Sequence, residues 1–362
     1  MRTGGNARSK TRATTAPDTG FTLIELLLSI TILSVVMLIT MSLLNASLGQ
    51  LRISEARFGQ FREVQAAFDT MRLRLAGCEI NPFYDYEYKN EDMNSVPIGY
   101  KLKSDLHFVT GPVMAGEFPL LISGNHNGHG IFFHGTFGMT NETDWKGLGT
   151  LMNSWGYYLE FGDDTSARAD FLNSENVPKR YRYRLKELQV PAELMRTYAA
   201  KLNAGSSRED IFAWFRDSLQ APENVHTVAE NIAAFVVTPL VPADSRNSNG
   251  ALIGENGLAP TYYYDTRNYQ HARTNVAEVT RHRLPPLLRL TLVALDEVSA
   301  TKLEELNGQN KPDLGVDSLF ADATRYNEDI QSLEARLQQM KLNYRVFSTT
   351  VRLRNARWIN TY

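Results

Sequence analysis

The 362-residue sequence has a single cysteine, Cys78, so no disulfide can form within the chain. The fold must rest on an ordinary apolar core, which a chain of this size can supply. A strong charge of either sign is also missing. The formal net charge is -2, which excludes a chain that binds nucleic acid by bulk electrostatics. Catalytic signatures are lacking too: there is no G-x-S-x-G, no G-x-x-x-x-G-K-[ST], no H-E-x-x-H and no pair of carboxylates in a helical frame. No enzyme activity and no cofactor is expected. Uninterrupted apolar runs long enough to cross a membrane are absent everywhere but one place, near the N-terminus.

That run is "TGFTLIELLLSITILSVVMLIT". From Leu26 to Leu44, nineteen residues carry no ionisable group, close to the ~20 that span a bilayer as a helix. Arg2, Arg8, Lys10 and Arg12 precede it with Asp18, a balance of +3, which leaves -5 for the rest of the chain. Basic residues on that side place residues 1–20 in the cytoplasm and the remainder outside. A basic head before an apolar run is a targeting pattern and is set apart from the fold. Two processing sites are open. One follows the run, at "LNA" ending in Ala46, with Leu44 where a small residue is preferred. The other precedes it, at Gly20, and keeps the span.

Glu25 bears on that choice. A carboxylate near the end of a span costs less than one at the centre, where scales start at ~2.5 kcal/mol, yet intramembrane ionisable groups usually mark partners. A cut after Gly20 creates an α-amino group on Phe21, one helical turn from Glu25. An amine of pKa ~8 and a carboxylate of pKa ~4.3 carry opposite charges at neutral pH. In a stack of such helices, the amine of one subunit meets the Glu of its neighbour. The alternative is a Glu solvated at headgroup level beside a plain anchor.

The order of basic leader, Gly20, Phe21, Glu25 and unbroken span in "GFTLIE" resembles the class III signal of type IV prepilins and pseudopilins. The resemblance covers the first 45–75 residues. It implies cleavage after Gly20 by a prepilin peptidase, N-methylation of Phe21, and Glu25 as the residue that pairs with an adjacent subunit's N-terminus. It also implies a single-pass inner-membrane protein with a periplasmic head that joins a filament after processing.

Past the span, Leu48, Leu51, Phe58, Phe61, Val64, Phe68, Met71 and Leu75 form one helical stripe, and Gly77 then Pro82 end it. The domains expected are a leader at 1–20, a transmembrane segment at 21–44, an amphipathic stem helix at 45–77 and a globular head at 78–362. The C-terminal half of the stem is expected to pack on the head and its N-terminal half on neighbours. Residues 79–180 read as loops and short strands. "RYRYRLKEL" alternates, with Arg180, Arg182 and Arg184 on one face and tyrosines and Leu185 on the other. Helices are expected at "AELMRTYAAKL" and "SREDIFAWFRDSL". "NIAAFVVTPL" and "PPLLRLTLVALDE" read as buried strands, and "YRVFSTTVRLRNARW" as a strand with one buried face. Leu319, Ala323, Tyr326, Ile330, Leu333, Leu337 and Met340 follow a 4-3 spacing, suited to a partner helix or to packing on a sheet. The fold class is α+β: a long N-terminal helix packed on an antiparallel-sheet, pilin-like head with extra helices and loops.

"NIAAFVVTPL" followed by "LPPLLRLTLVALDE" resembles the J-type minor pseudopilins of type II secretion. "LMNSWGYYLEFGDD", "RYRLKELQVPAEL" and "YRVFSTTVRLRNARW" resemble segments of the pilin-like C proteins of the Verru_Chthon cassette found in verrucomicrobial genomes. The implied role is structural: a minor or tip-proximal pilin-like subunit, with prepilin peptidase and other pilin-like subunits as partners.

Three clusters invite other readings. His126, His129 and His134 in "GNHNGHGIFFHG" would need a fourth ligand to hold zinc, and a glycine-rich loop gives them no fixed geometry. Asp163, Asp164 and Asp170 in "FGDDTSARAD" could offer oxygens to calcium, or form a solvated turn. "KRYRYR", with Arg352, Arg354 and Arg357, is basic with interleaved tyrosines, as single-stranded nucleic acid prefers, but alternation puts Arg and Tyr on opposite faces. Neither a metal nor a nucleic-acid partner is expected. The rivals from other classes are a single-pass, signal-anchored periplasmic binding protein and a periplasmic metalloprotein.

Overall fold

The structure is a computed structural model that describes residues 22–356 except 115–119, 122–124, 166–167, 169–170, 172–176, 198–207, 248 and 268–279; for residues 46, 49–60, 91 and 208–210 it gives the backbone alone. Helix α1 runs Leu23–Ala76. The chain divides into two compact units, residues 1–56 and 57–362.

In the first unit, Leu23–Asn45 is apolar on every side, with a mean hydropathy of 2.5 and none of it buried in protein. A helix without a polar face suits a bilayer. Its hydroxyls turn inward: Ser29 donates to the Glu25 carbonyl at 2.7 Å, Ser34 to Ile30 at 2.8 Å and Thr40 to Val36 at 2.7 Å. Satisfying polar groups within the helix is what a medium without water demands.

In the second unit, Val64, Phe68, Met71 and Leu75 of α1 are buried at helical spacing. The helix stops where the Gly77 N–H bonds the Arg74 carbonyl at 3.0 Å. Arg74 lies over the Trp155 ring, 4.3 Å from its centroid. Strands β1 (Cys78–Glu79), β2 (Pro82–Tyr88), β3 (Pro97–Ser104), β4 (Val109–Pro112), β5 (His126–Thr136), β6 (Met152–Gly162) and β7 (Arg182–Val190) follow. Then come α2 (Arg208–Arg216), β8 (Val225–Glu230), β9 (Ile232–Leu240), β10 (Tyr264–Asp265), β11 (Leu287–Leu295), α3 (Glu297–Asn307), α4 (Tyr326–Gln339) and β12 (Tyr344–Arg352). The class is α+β with antiparallel pairing throughout.

Among the described residues, three sheets build this unit. The largest has seven strands in the order β10-β4-β5-β6-β7-β8, with β1 pairing onto β5. A second is β12-β11-β9, and β2 and β3 form a separate hairpin. Both faces of the seven-stranded sheet are covered. Ile131, Phe133, Trp155, Tyr157 and Leu185 join the main core with α1, β9, β11 and α4. Phe132, Tyr158, Leu188 and Val190 meet Phe212, Trp214 and Phe215 of α2 on the other side. Phe132 and Phe215 stack at 4.0 Å, and Gly156 makes room: a Cβ there would sit 2.3 Å from Phe132 Cδ1.

The expected elements are largely present. β9 is buried along its whole length, and β12 buries Phe347 and Val351 but exposes Ser348, Thr350 and Arg352. The 4-3 spacing serves internal packing, since Leu333 and Leu337 are fully buried in the unit's own core. In the region 79–180, where loops and short strands are expected, β5 and β6 are longer, at 11 residues each. The helix expected at 192–202 begins as a 3-10 turn over Ala192–Leu194, and residues 198–202 lie outside the described ones.

Candidate functional site

At the start of α1 a motif and a geometry coincide. Thr22 precedes the first helical turn and Glu25 sits three residues on. The Thr22 N–H donates to Glu25 Oε2 at 3.0 Å and the Thr22 hydroxyl donates to the same oxygen at 2.9 Å. In return the Glu25 N–H points at Thr22 Oγ1, 3.4 Å away. This is a capping box, in which two donors orphaned by the helix start are satisfied reciprocally. The carboxylate also sits where the positive end of the helix dipole favours it. Gly20 and Phe21 lie outside the described residues.

Residues 17–41 match the family model of the prokaryotic N-terminal methylation motif. The match spans Gly20, Phe21, Glu25 and most of the apolar helix, and it supports a type IV pilin-like or pseudopilin-like protein with a single membrane anchor. No curated protein and no solved structure matches the chain.

The three histidines are not in a loop. All lie on β5 and their side chains go to different surroundings. His126 packs edge-on against Tyr158 at 5.2 Å. His129 meets the Tyr262 ring at 4.8 Å, and its Nδ1 is 3.1 Å from both the backbone N and O of Val237. His134 Nδ1 is 3.0 Å from Ser154 Oγ, and its ring lies 4.2 Å from that of Trp214. Burial pushes all three below the ordinary imidazole range, His129 to about 4. Among the described residues, no three His, Cys, Asp or Glu side chains converge as metal ligands.

The acidic cluster is spoken for by cations of the chain itself. Asp163 Oδ2 is 2.9 Å from Lys179 Nζ, and Asp164 Oδ2 is 2.8 Å from Arg168 Nε. Asp164 Oδ1 also accepts from the Arg180 N–H at 3.0 Å. The Lys179 ammonium holds Asp163 below the usual carboxylate range. Asp170 lies outside the described residues.

The "KRYRYR" strand departs from the one-buried-face reading. Arg182 and Arg184 are buried, at 4% and 2% exposure. Arg182 Nη1 reaches Glu297 Oε2 at 2.6 Å and Asn231 Oδ1 at 3.1 Å, tying β7 to α3. Arg184 Nε donates to Glu230 at 2.8 Å, and its Nη1 to the Gly162 and Asp163 carbonyls at 2.8 Å each. These guanidiniums are consumed by internal partners. Arg352 and Arg354 are exposed, and Arg357 lies outside the described residues.

One buried constellation escaped the sequence reading. His107 Nε2 is 2.7 Å from Asp265 Oδ1, the Trp214 Nε1–H donates to His107 Nδ1 at 3.1 Å, and the Tyr263 hydroxyl donates to Asp265 Oδ2 at 2.9 Å. His107 and Asp265 are fully buried, which suits a pin between elements better than contact with a substrate. Lone residues up to 158 positions apart offer no sequence signal.

Proposed function

We propose that this chain is a structural, pilin-like subunit of a type IV pilus or type II secretion-like filament. It is held in the inner membrane by one helix, with its head in the periplasm and its leader, residues 1–20, in the cytoplasm. A prepilin peptidase cuts after Gly20 and methylates Phe21. Residues 21–44 are then the span, 45–77 the stem and 78–362 the head, and Glu25 engages the N-terminus of a neighbouring subunit. The carrying observation is the coincidence of the methylation motif at 17–41 with a 23-residue apolar helix whose third residue is a glutamate. A head of 285 residues would crowd a filament made of many copies, so a minor or tip-proximal position is the one proposed. Segment resemblances to J-type minor pseudopilins and to C proteins of the Verru_Chthon cassette point the same way.

Mass spectrometry of the mature N-terminus, on membranes of the native host, tests the reading. N-methyl-Phe21 is the expected result. A start at Ser47, or an intact basic leader, would overturn both the processing and the assembly role of Glu25.

A further inference from the structure

β12 is an edge strand. It pairs with β11 alone in its sheet, so among the described residues no strand lies along its other side. A groove follows that side. Residues 345–352 line it one after another, and its other wall is α1 between Gln65 and Ala76. Its two parts, about 470 and 320 Å³, share Arg72. Side chains on a strand alternate between faces, so consecutive lining marks an open edge. Beyond the groove the chain is fastened back on the helix end, with the Arg354 N–H 3.4 Å from the Ala76 carbonyl.

The groove is basic. Arg72, Arg345, Arg352 and Arg354 border it against one acid, Asp69, which is 3.8 Å from Arg72. No salt bridge is formed by Arg345, Arg352 or Arg354 among the described residues. Leu73 adds an exposed apolar patch to the wall.

We propose that this groove binds an extended acidic segment of another protein, added to the sheet as a strand beside β12. The edge supplies backbone donors and acceptors, and the arginines select for alternating carboxylates. Eight residues of edge at ~3.3 Å each give about 26 Å of pairing. A second copy of the same strand fits poorly. It carries Arg345 and Arg352 and no acid, and would bring them into a groove already bordered by four arginines. The chain's own last residues, 357–362, include Arg357 and no acid, so they do not complement the groove either. The inference holds whether or not the chain joins a filament.

The test is fluorescence anisotropy at low salt, with the full chain in detergent micelles and a labelled peptide of sequence EVEVEVEVE. Saturable binding is expected. It should weaken at least about tenfold when the peptide is N-methylated at every residue, which keeps its charge and removes its backbone donors. It should weaken as much in the double variant Arg352→Glu, Arg354→Glu, with an unchanged circular dichroism spectrum showing that the fold is kept. A KVKVKVKVK peptide should not bind the unaltered chain. Absence of saturable binding, or equal binding of the N-methylated peptide, overturns the proposal. Tighter binding of a single-stranded oligonucleotide or of phosphatidylglycerol vesicles, lost in the same variant, also overturns it and reassigns the groove.

Discussion

His107 Nε2 and Asp265 Oδ1 are 2.7 Å apart with both side chains shut off from solvent. Because Trp214 Nε1–H donates to His107 Nδ1, the ring proton of the neutral imidazole sits on Nε2 and is given to the carboxylate. The backbone N–H of Arg267 adds a second donor to the same oxygen at 2.8 Å. His107→Ala leaves the buried carboxylate short of a donor, strands the Trp214 N–H and opens a cavity. The expected loss is about 3–5 kcal/mol in urea unfolding of the full chain in micelles. Asp265→Asn keeps an acceptor for His107 and should cost clearly less. Equal losses would mean that the charge of the Asp265 carboxylate, and not packing around His107, holds this site.

Buried histidines also set the response to acid. Burial lowers His129 from 6.5 to about 4 and His282 to about 3, and it lowers His107 and His134 as well. With folded values below the unfolded one, the unfolded chain binds more protons once the pH drops under 6.5. The stabilisation is therefore complete above pH 6.5 and is lost progressively as pH falls towards about 4. His129 alone accounts for roughly 3 kcal/mol across that window, at ~1.4 kcal/mol per pKa unit. Urea midpoints should fall steadily between pH 7 and pH 4.5. A flat profile would show that these rings are accessible to water.

Arg182 offers a sharper test of the β7–α3 junction. Its guanidinium is 3% exposed and faces Glu297 at 2.6 Å and Glu304 at 3.5 Å. Removing one partner of a buried pair costs ~3–5 kcal/mol, and a residue that keeps the arginine's bulk spares the share of the loss that comes from the cavity. Glu297 is about half exposed, so water takes up part of its loss, and Arg182→Ala should sit at the low end, near ~3 kcal/mol. Arg182→Met should be distinctly milder. If both variants unfold at the same urea concentration, the bulk of the side chain contributes nothing and the loss belongs to the guanidinium's polar contacts.

What the sequence disclosed follows from the range of the physics involved. The stripe Val64, Phe68, Met71, Leu75 and the alternation of β12 were legible because each has one wet face and one dry face. β5 read as a loop because glycine usually signals a turn. Here its glycines answer to crowding: a Cβ on Gly130 would lie 2.9 Å from Val113 Cγ1, and one on Gly128, at φ +65°, would lie 2.8 Å from the Phe235 carbonyl oxygen. The arginines of β7 read as solvent-facing because their acids, Glu230, Glu297 and Glu304, arrive from 46 to 122 residues further on. Of the candidate site, the residue types at the helix start were legible. The bonds between Thr22 and Glu25 were not, since the apolar run drew the reading towards the membrane and away from the cap.

Those bonds separate the capping of α1 from the assembly role proposed for Glu25, which a single deletion would merge. Gln serves a capping box as well as Glu does, but it carries no charge to meet a neighbour's α-amino group. Glu25→Gln should therefore preserve the start of α1, read as unchanged amide protection of the first turn in micelles. It should lower recovery of the chain in sheared or sedimented filaments at least about tenfold. Glu25→Ala should lose the filament fraction and also weaken the helix start by about 1 kcal/mol. If Glu25→Gln assembles like the unaltered chain, the carboxylate acts as a cap and not as a charge. If the glutamine variant instead stays in the membrane fraction with an intact helix start and an N-methylated Phe21, processing and capping are both spared, and the missing charge is what assembly required.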